Sequence, residues 1–248
     1  MQFNHPVGDS GMPQYSDKVV RGTPHEDSLV IVQFLKGMVG KRFSFLNYYK
    51  EIPVSYDATL LNVENEMAEF ELHEYQAKVI NMERKALIHS HMESPFREDI
   101  LAEAFYINTL KKIVILCKFE YAKIRSNMRR FVRVVLDRPV EADLVLDDDI
   151  IKGNVKDISL GGAALHLMSQ DRILPGLDLN LFLKLPDISS GDITEVGMSA
   201  TVIKVTGECA PFDCILEFHP EKHSQQQISY YINQRQVEII KELKELNS

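Results

Sequence analysis

Leu179, Leu181, Leu183 and Leu185 fall on alternate positions, with Asn180 and Lys184 among the residues between them. A period of two places the leucines on one face of a strand and the polar residues on the other, as in a sheet with one wet face. Glu69-Phe70-Glu71-Leu72-His73 repeats the pattern. Further strand-like runs span 29–35, 42–46, 59–63, 78–82, 86–90, 102–107 and 113–122, then 134–136, 142–146, 153–158, 163–167, 198–205 and 214–218. Many short strands separated by turn residues point to small barrels or sandwiches.

The ends read differently. Residues 1–26 mix Pro6, Pro13, Pro24 and glycines with polar residues and carry no apolar period, which predicts a mobile tail. At the other end, Ser224 with Gln227 forms a candidate capping box. Ile228, Ile232, Ile239, Leu243 and Leu246 then fall on one stripe at helical spacing, suited to covering a barrel or a sister helix. The polar, basic stretch Arg125 to Met128 marks a boundary, giving an N-terminal β-barrel domain at 27–124 and a second domain at 125–248.

Charge narrows the partners. The 248 residues carry a formal net charge of −8, yet Lys111 to Arg138 holds nine basic and two acidic residues, a local +7 on an otherwise acidic chain. A confined basic segment suits a small anion better than a long polyanion, so DNA is not the expected ligand. No apolar run approaches the ~20 residues that span a bilayer. No basic segment followed by an apolar core opens the chain, so no secretory signal is expected. Three cysteines without a C-x-x-C pair read as reduced thiols of a cytoplasmic protein.

Two motifs carry chemistry. Arg129-Arg130-Phe131-Val132-Arg133 stands at the boundary and leads into a strand. Asp157-Ile158-Ser159-Leu160-Gly161-Gly162 follows a strand and precedes the apolar run 163–167. Alone, the second is a tight turn in which Asp157 and Ser159 can bond nearby backbone and a glycine relaxes the geometry. Together, in this order and with 23 residues between Arg133 and Asp157, they resemble the PilZ domain over about residues 126–246. The strands ahead of it are similar to the N-terminal barrel of two-domain PilZ proteins of the flagellar-brake type. At Ile215, three residues before Phe218, the chain departs from the glycine usual in the family.

The resemblance implies a mainly β protein of two small antiparallel barrels, the second six-stranded, with a C-terminal helix. It implies cyclic di-GMP as ligand, with Arg129, Arg130 and Arg133 as the first motif and Asp157, Ser159 and Gly162 as the second. Guanidinium chemistry agrees: a planar fork bonds guanine O6 and N7, suits phosphate oxygens and stacks on purines. Asp157 can accept from guanine N1–H and N2–H₂. Ser159 can donate to a phosphate or ribose oxygen, and Gly161 and Gly162 admit close backbone approach.

Other constellations weigh less. His89-Ser90-His91 with Glu93 could hold a metal but reads as surface histidines before a turn; no metal is expected. Asp147-Asp148-Asp149 reads as a hairpin turn, because it lacks the ligand spacing of a calcium loop. Gly8-Asp9-Ser10-Gly11 resembles a protease serine loop without a base or a rigid scaffold. No nucleophile is paired with a base, so the expectation is a non-enzymatic receptor without a cofactor. Ligand at the interdomain joint would reorient the N-terminal barrel and regulate motility, attachment or exopolysaccharide output through a protein partner. The C-terminal stripe and the N-terminal barrel each leave room for a homodimer. The alternatives are a ligand-responsive transcription regulator or an interaction scaffold without ligand.

Overall fold

The computed structural model describes residues 15–90, 96–124, 130–147, 149–170 and 172–246. Thirteen strands and three helices appear among them. Gly8–Gly11, His91, Glu93, Arg125–Met128, Arg129 and Asp148 lie outside the described residues. The chain divides into two compact units, one comprising 1–48, 53–129 and 246–248, the other 49–52 and 130–245.

The first unit holds β1 (Ser16–Val19), α1 (Pro24–Lys36), β2 (Arg42–Tyr49), β3 (Ile52–Glu64), β4 (Met67–Glu71), α2 (Glu74–Glu83), β5 (Lys85–Ile88), β6 (Asp99–Asn108) and β7 (Ile113–Ile124). Strands run in the order β7-β4-β3-β2-β5-β6, and the β6–β7 pairing closes the ring, with β1 added alongside β7. Phe45, Phe70, Phe119, Leu60, Ile100 and Leu116 fill the interior. Each side chain of this size contributes about 1.5–3 kcal/mol on burial.

Three expectations are corrected here. Residues 15–26 are not a loose tail, since Ser16–Val19 pairs with Tyr121–Ile124. Residues 29–35 are helical, because Thr23 and Glu26 cap each other's backbone N–H and Pro24 opens the first turn. Ser28, Ile31, Val32 and Leu35 then bury one helical stripe, so the cap overrides the strand preference of Val-Ile-Val. Residues 78–82 lie in α2, whose N-cap His73 accepts from Tyr75 N–H at 3.3 Å. A short apolar run does not by itself distinguish helix from strand.

The second unit contains β8 (Arg133–Leu146), β9 (Asp149–Ser159), β10 (Gly162–Leu167), β11 (Asp178–Pro186), β12 (Ile193–Thr206), β13 (Phe212–His219) and α3 (Lys222–Glu245). They close as β10-β13-β12-β11-β8-β9, all pairs antiparallel. The two predicted strands 134–136 and 142–146 are one strand. Its register against β9 jumps from Val135↔Asp157 to Val140↔Val155, a bulge that bends β8. Leu179, Leu181, Leu183 and Leu185 face inward as the alternation required, while Ile215 faces outward on β13.

Helix α3 begins two residues before Ser224, whose hydroxyl donates to Gly197 O at 2.8 Å instead of capping the helix. Its stripe covers this barrel, with Ile228, Tyr231, Ile232 and Ile239 joining the core. Arg235, only 5% exposed, donates from Nε to Val135 O at 3.2 Å and pairs with Asp137, Glu238 and Glu242. Among the described residues, no helix is long and apolar enough to cross a membrane.

Candidate functional site

Antiparallel pairing decides which motif residues can meet. Arg133 pairs with Ser159 and Val135 with Asp157, so Arg133, Val135, Asp157 and Ser159 share one face of the β8–β9 ladder. Val134 and Ile158, between them, are fully buried in the barrel. The period of two therefore anchors the strands from inside and turns the polar side chains outward. This outer face is the candidate site.

Arg133 Nε lies 3.3 Å from Asp157 Oδ1. That distance is an ion pair, yet Oδ1 is buried and accepts no aligned hydrogen bond among the described residues. Proximity without alignment leaves, among the described residues, an acceptor lone pair and most guanidinium N–H donors open to a further partner. The Asp157 side chain is only 13% exposed. Burial pushes its carboxyl above the usual range; the Arg133 and Lys156 charges and the Ala164 N–H oppose this, and the Glu51 charge adds to it.

The turn after β9 is tied down on two sides. Ser159 Oγ donates to Gly162 O at 3.2 Å, and Phe218 N–H donates to Gly161 O at 3.0 Å. Gly162 pairs with Ser159 on one side and with Glu217 on the other. A Cβ there would stand 2.2 Å from Leu216 O, so glycine is required by the close passage of β10 and β13. Packing explains this residue without a ligand. Gly161 has a different neighbour: a Cβ would lie 3.0 Å from Phe131 Cδ2 and 3.3 Å from Cε2. The Arg130 guanidinium carbon sits 5.2 Å from the centroid of the same ring.

Arg130, Arg133, Asp157, Ser159, Gly161 and Gly162 thus gather around one patch of the second barrel, and Arg129 is outside the described residues. Phe131 went unnoticed in the sequence, where it reads as spacing between arginines. The available signal was its place between the arginines of the motif, the one aromatic residue in 129–133. A cleft of about 630 Å³ among the β8 bulge, the β11–β12 hairpin and α3 is lined by none of these residues. The patch is an open surface with flat, charged and hydrogen-bonding groups, fit to hold an anion with aromatic rings. Among the described residues no group of His, Cys, Asp and Glu could hold a metal.

The family model for the PilZ domain matches residues 127–234. Residues 127–234 are a PilZ domain. The match contains both motifs and all six strands of the second barrel. No curated protein matches the sequence. Solved structures similar to the chain include the Bacillus subtilis inhibitor of motility MotI/DgrA, at 15% identity over 81% of this chain and 97% of that one, TM-score 0.42. Escherichia coli YcgR in complex with c-di-GMP is similar at 11% identity over 94% and 97%, TM-score 0.42. The K. pneumonia MrkH–c-di-GMP complex is similar at 14% identity over 89% and 97%, TM-score 0.41.

Proposed function

We propose that this PilZ-domain protein is a cytoplasmic receptor for cyclic di-GMP, acting as a binding module and not as an enzyme. The observation that carries the reading is the Arg133–Asp157 pair, close in charge but unaligned, on the outer face where both motifs meet. Cyclic di-GMP offers two phosphates and two guanines. Arg129, Arg130 and Arg133 supply forks for guanine O6/N7 and for phosphate, Asp157 accepts from N1–H and N2–H₂, and Ser159 donates to phosphate or ribose. Gly161 and Gly162 keep the turn low enough for the ligand to approach backbone.

The arginine motif lies in sequence at the joint of the domains 27–124 and 125–248. Ordering it around a ligand changes their arrangement, and a protein partner reads the change as an output in motility, attachment or biofilm formation. X-ray scattering profiles that differ with and without cyclic di-GMP support this coupling, and identical profiles contradict it.

Thermal unfolding tests the receptor itself. A ligand at about 100 times its Kd stabilises the native state by ~2.7 kcal/mol, which for a chain of this size raises Tm by roughly 5–10 °C. Cyclic di-GMP is expected to produce such a shift and GMP is not. No shift with cyclic di-GMP contradicts the reading.

A further inference from the structure

We infer that Phe131 is a ligand-contacting, specificity-determining residue, and that its ring is the platform on which one guanine stacks. The inference rests on the cyclic di-GMP reading and deepens it, because neither motif assigns a role to this side chain. Edges and phosphates of the ligand are served by guanidinium, carboxylate and hydroxyl groups. The flat faces of a guanine stack on planar groups, and an aromatic ring offers them the larger apolar contact.

Phe131 is such a group in the required place. Its ring edge rests on Gly161, where any side chain would press to within 3.0 Å of Cδ2. Gly161 therefore seats the ring, and the ring joins the arginine segment to the Asp157–Gly162 turn. Its face is already used by a planar partner, since Arg130 Cζ lies 5.2 Å from the ring centroid. Inserting a base between guanidinium and ring needs about 7 Å between the outer planes, two stacking distances of ~3.5 Å. The present separation is smaller. A guanine thus takes the place of the Arg130 guanidinium on the ring, and the displaced cation turns to a phosphate. Arg130 is exposed, so the exchange takes its guanidinium out of no buried position.

The chain contains no tryptophan, so Phe131→Trp introduces a single tryptophan at this position, excited apart from the tyrosines. Calorimetry with cyclic di-GMP on the unsubstituted full chain, Phe131→Leu and Phe131→Trp separates stacking from packing. Leucine keeps the apolar contact with Gly161 but has no aromatic face. The expected result is binding weakened roughly 10- to 100-fold in Phe131→Leu, with Phe131→Trp close to the unsubstituted protein. Tryptophan emission of Phe131→Trp is expected to quench saturably with cyclic di-GMP and to stay unchanged with inorganic phosphate. Phe131→Leu binding as tightly as the unsubstituted chain, or binding heat in Phe131→Trp without any change in emission, overturns the inference alone. Absence of binding by the unsubstituted chain overturns the receptor reading, and this inference with it.

Discussion

Arg133 and Asp157 stand 3.3 Å apart across the β8–β9 ladder without an aligned hydrogen bond, on the face that also carries Ser159. A buried carboxylate in that position costs stability that a better-aligned pair would recover. Such a cost is common where a protein keeps groups ready for a ligand.

Asp157→Asn separates the two roles. In the folded chain burial holds the Asp157 carboxyl above its ordinary pKa, so the native state takes up its proton more readily than the unfolded state. The cost of the charge is therefore fully present above the folded pKa and is relieved as pH falls through it. Replacing Asp157 by Asn is expected to raise unfolding stability at pH 7 by ~0.5–2 kcal/mol while weakening cyclic di-GMP binding. Urea unfolding at pH 7 with parallel calorimetry checks it; lower stability at unchanged affinity contradicts the assignment.

Gly162→Ala is expected to act through packing. Its Cβ would meet Leu216 O at 2.2 Å, and strands β10 and β13 must separate to admit it. A loss of at least ~1–3 kcal/mol follows, measured as a lower urea midpoint with cyclic di-GMP absent.

Much of this architecture was legible in the sequence. The alternation at Leu179–Leu185 fixes an inward face by itself, and the order and spacing of the two motifs fix which strands carry them. The helices at 24–36 and 74–83 were not legible from apolar runs such as Leu29–Leu35, because β-branched residues favour strands and the deciding signals are the caps at Thr23 and His73. Phe131 and Arg235 escaped for a related reason. Their meaning depends on Gly161, 30 residues away, and on Val135, 100 residues away, partners that only folding brings near.

Arg235 is the tie between α3 and the bulged strand. Arg235→Ala leaves Val135 O without its donor and removes the cation from Glu238, while Lys50 still pairs with Asp137 and Glu242. It is expected to cost ~1–3 kcal/mol, and Arg235→Lys to recover only part, because an ammonium lacks the planar fork. Thermal unfolding followed by circular dichroism measures both.

The thiols are expected to differ in reactivity. Burial pushes Cys214 up to about 11, so at pH 8 roughly one part in a thousand is thiolate even where reagent reaches it. Cys209 is exposed. Mass spectrometry after iodoacetamide is expected to find Cys209 modified in the native protein and Cys214 modified only after unfolding.

Calorimetry of cyclic di-GMP against Arg133→Ala measures what this guanidinium contributes to the ligand. A micromolar complex needs about 8 kcal/mol, and a bidentate guanidinium contact supplies ~1–3 kcal/mol of it. The expected result is affinity reduced roughly 10- to 100-fold with an unchanged circular dichroism spectrum. Affinity equal to that of the unsubstituted protein would contradict it.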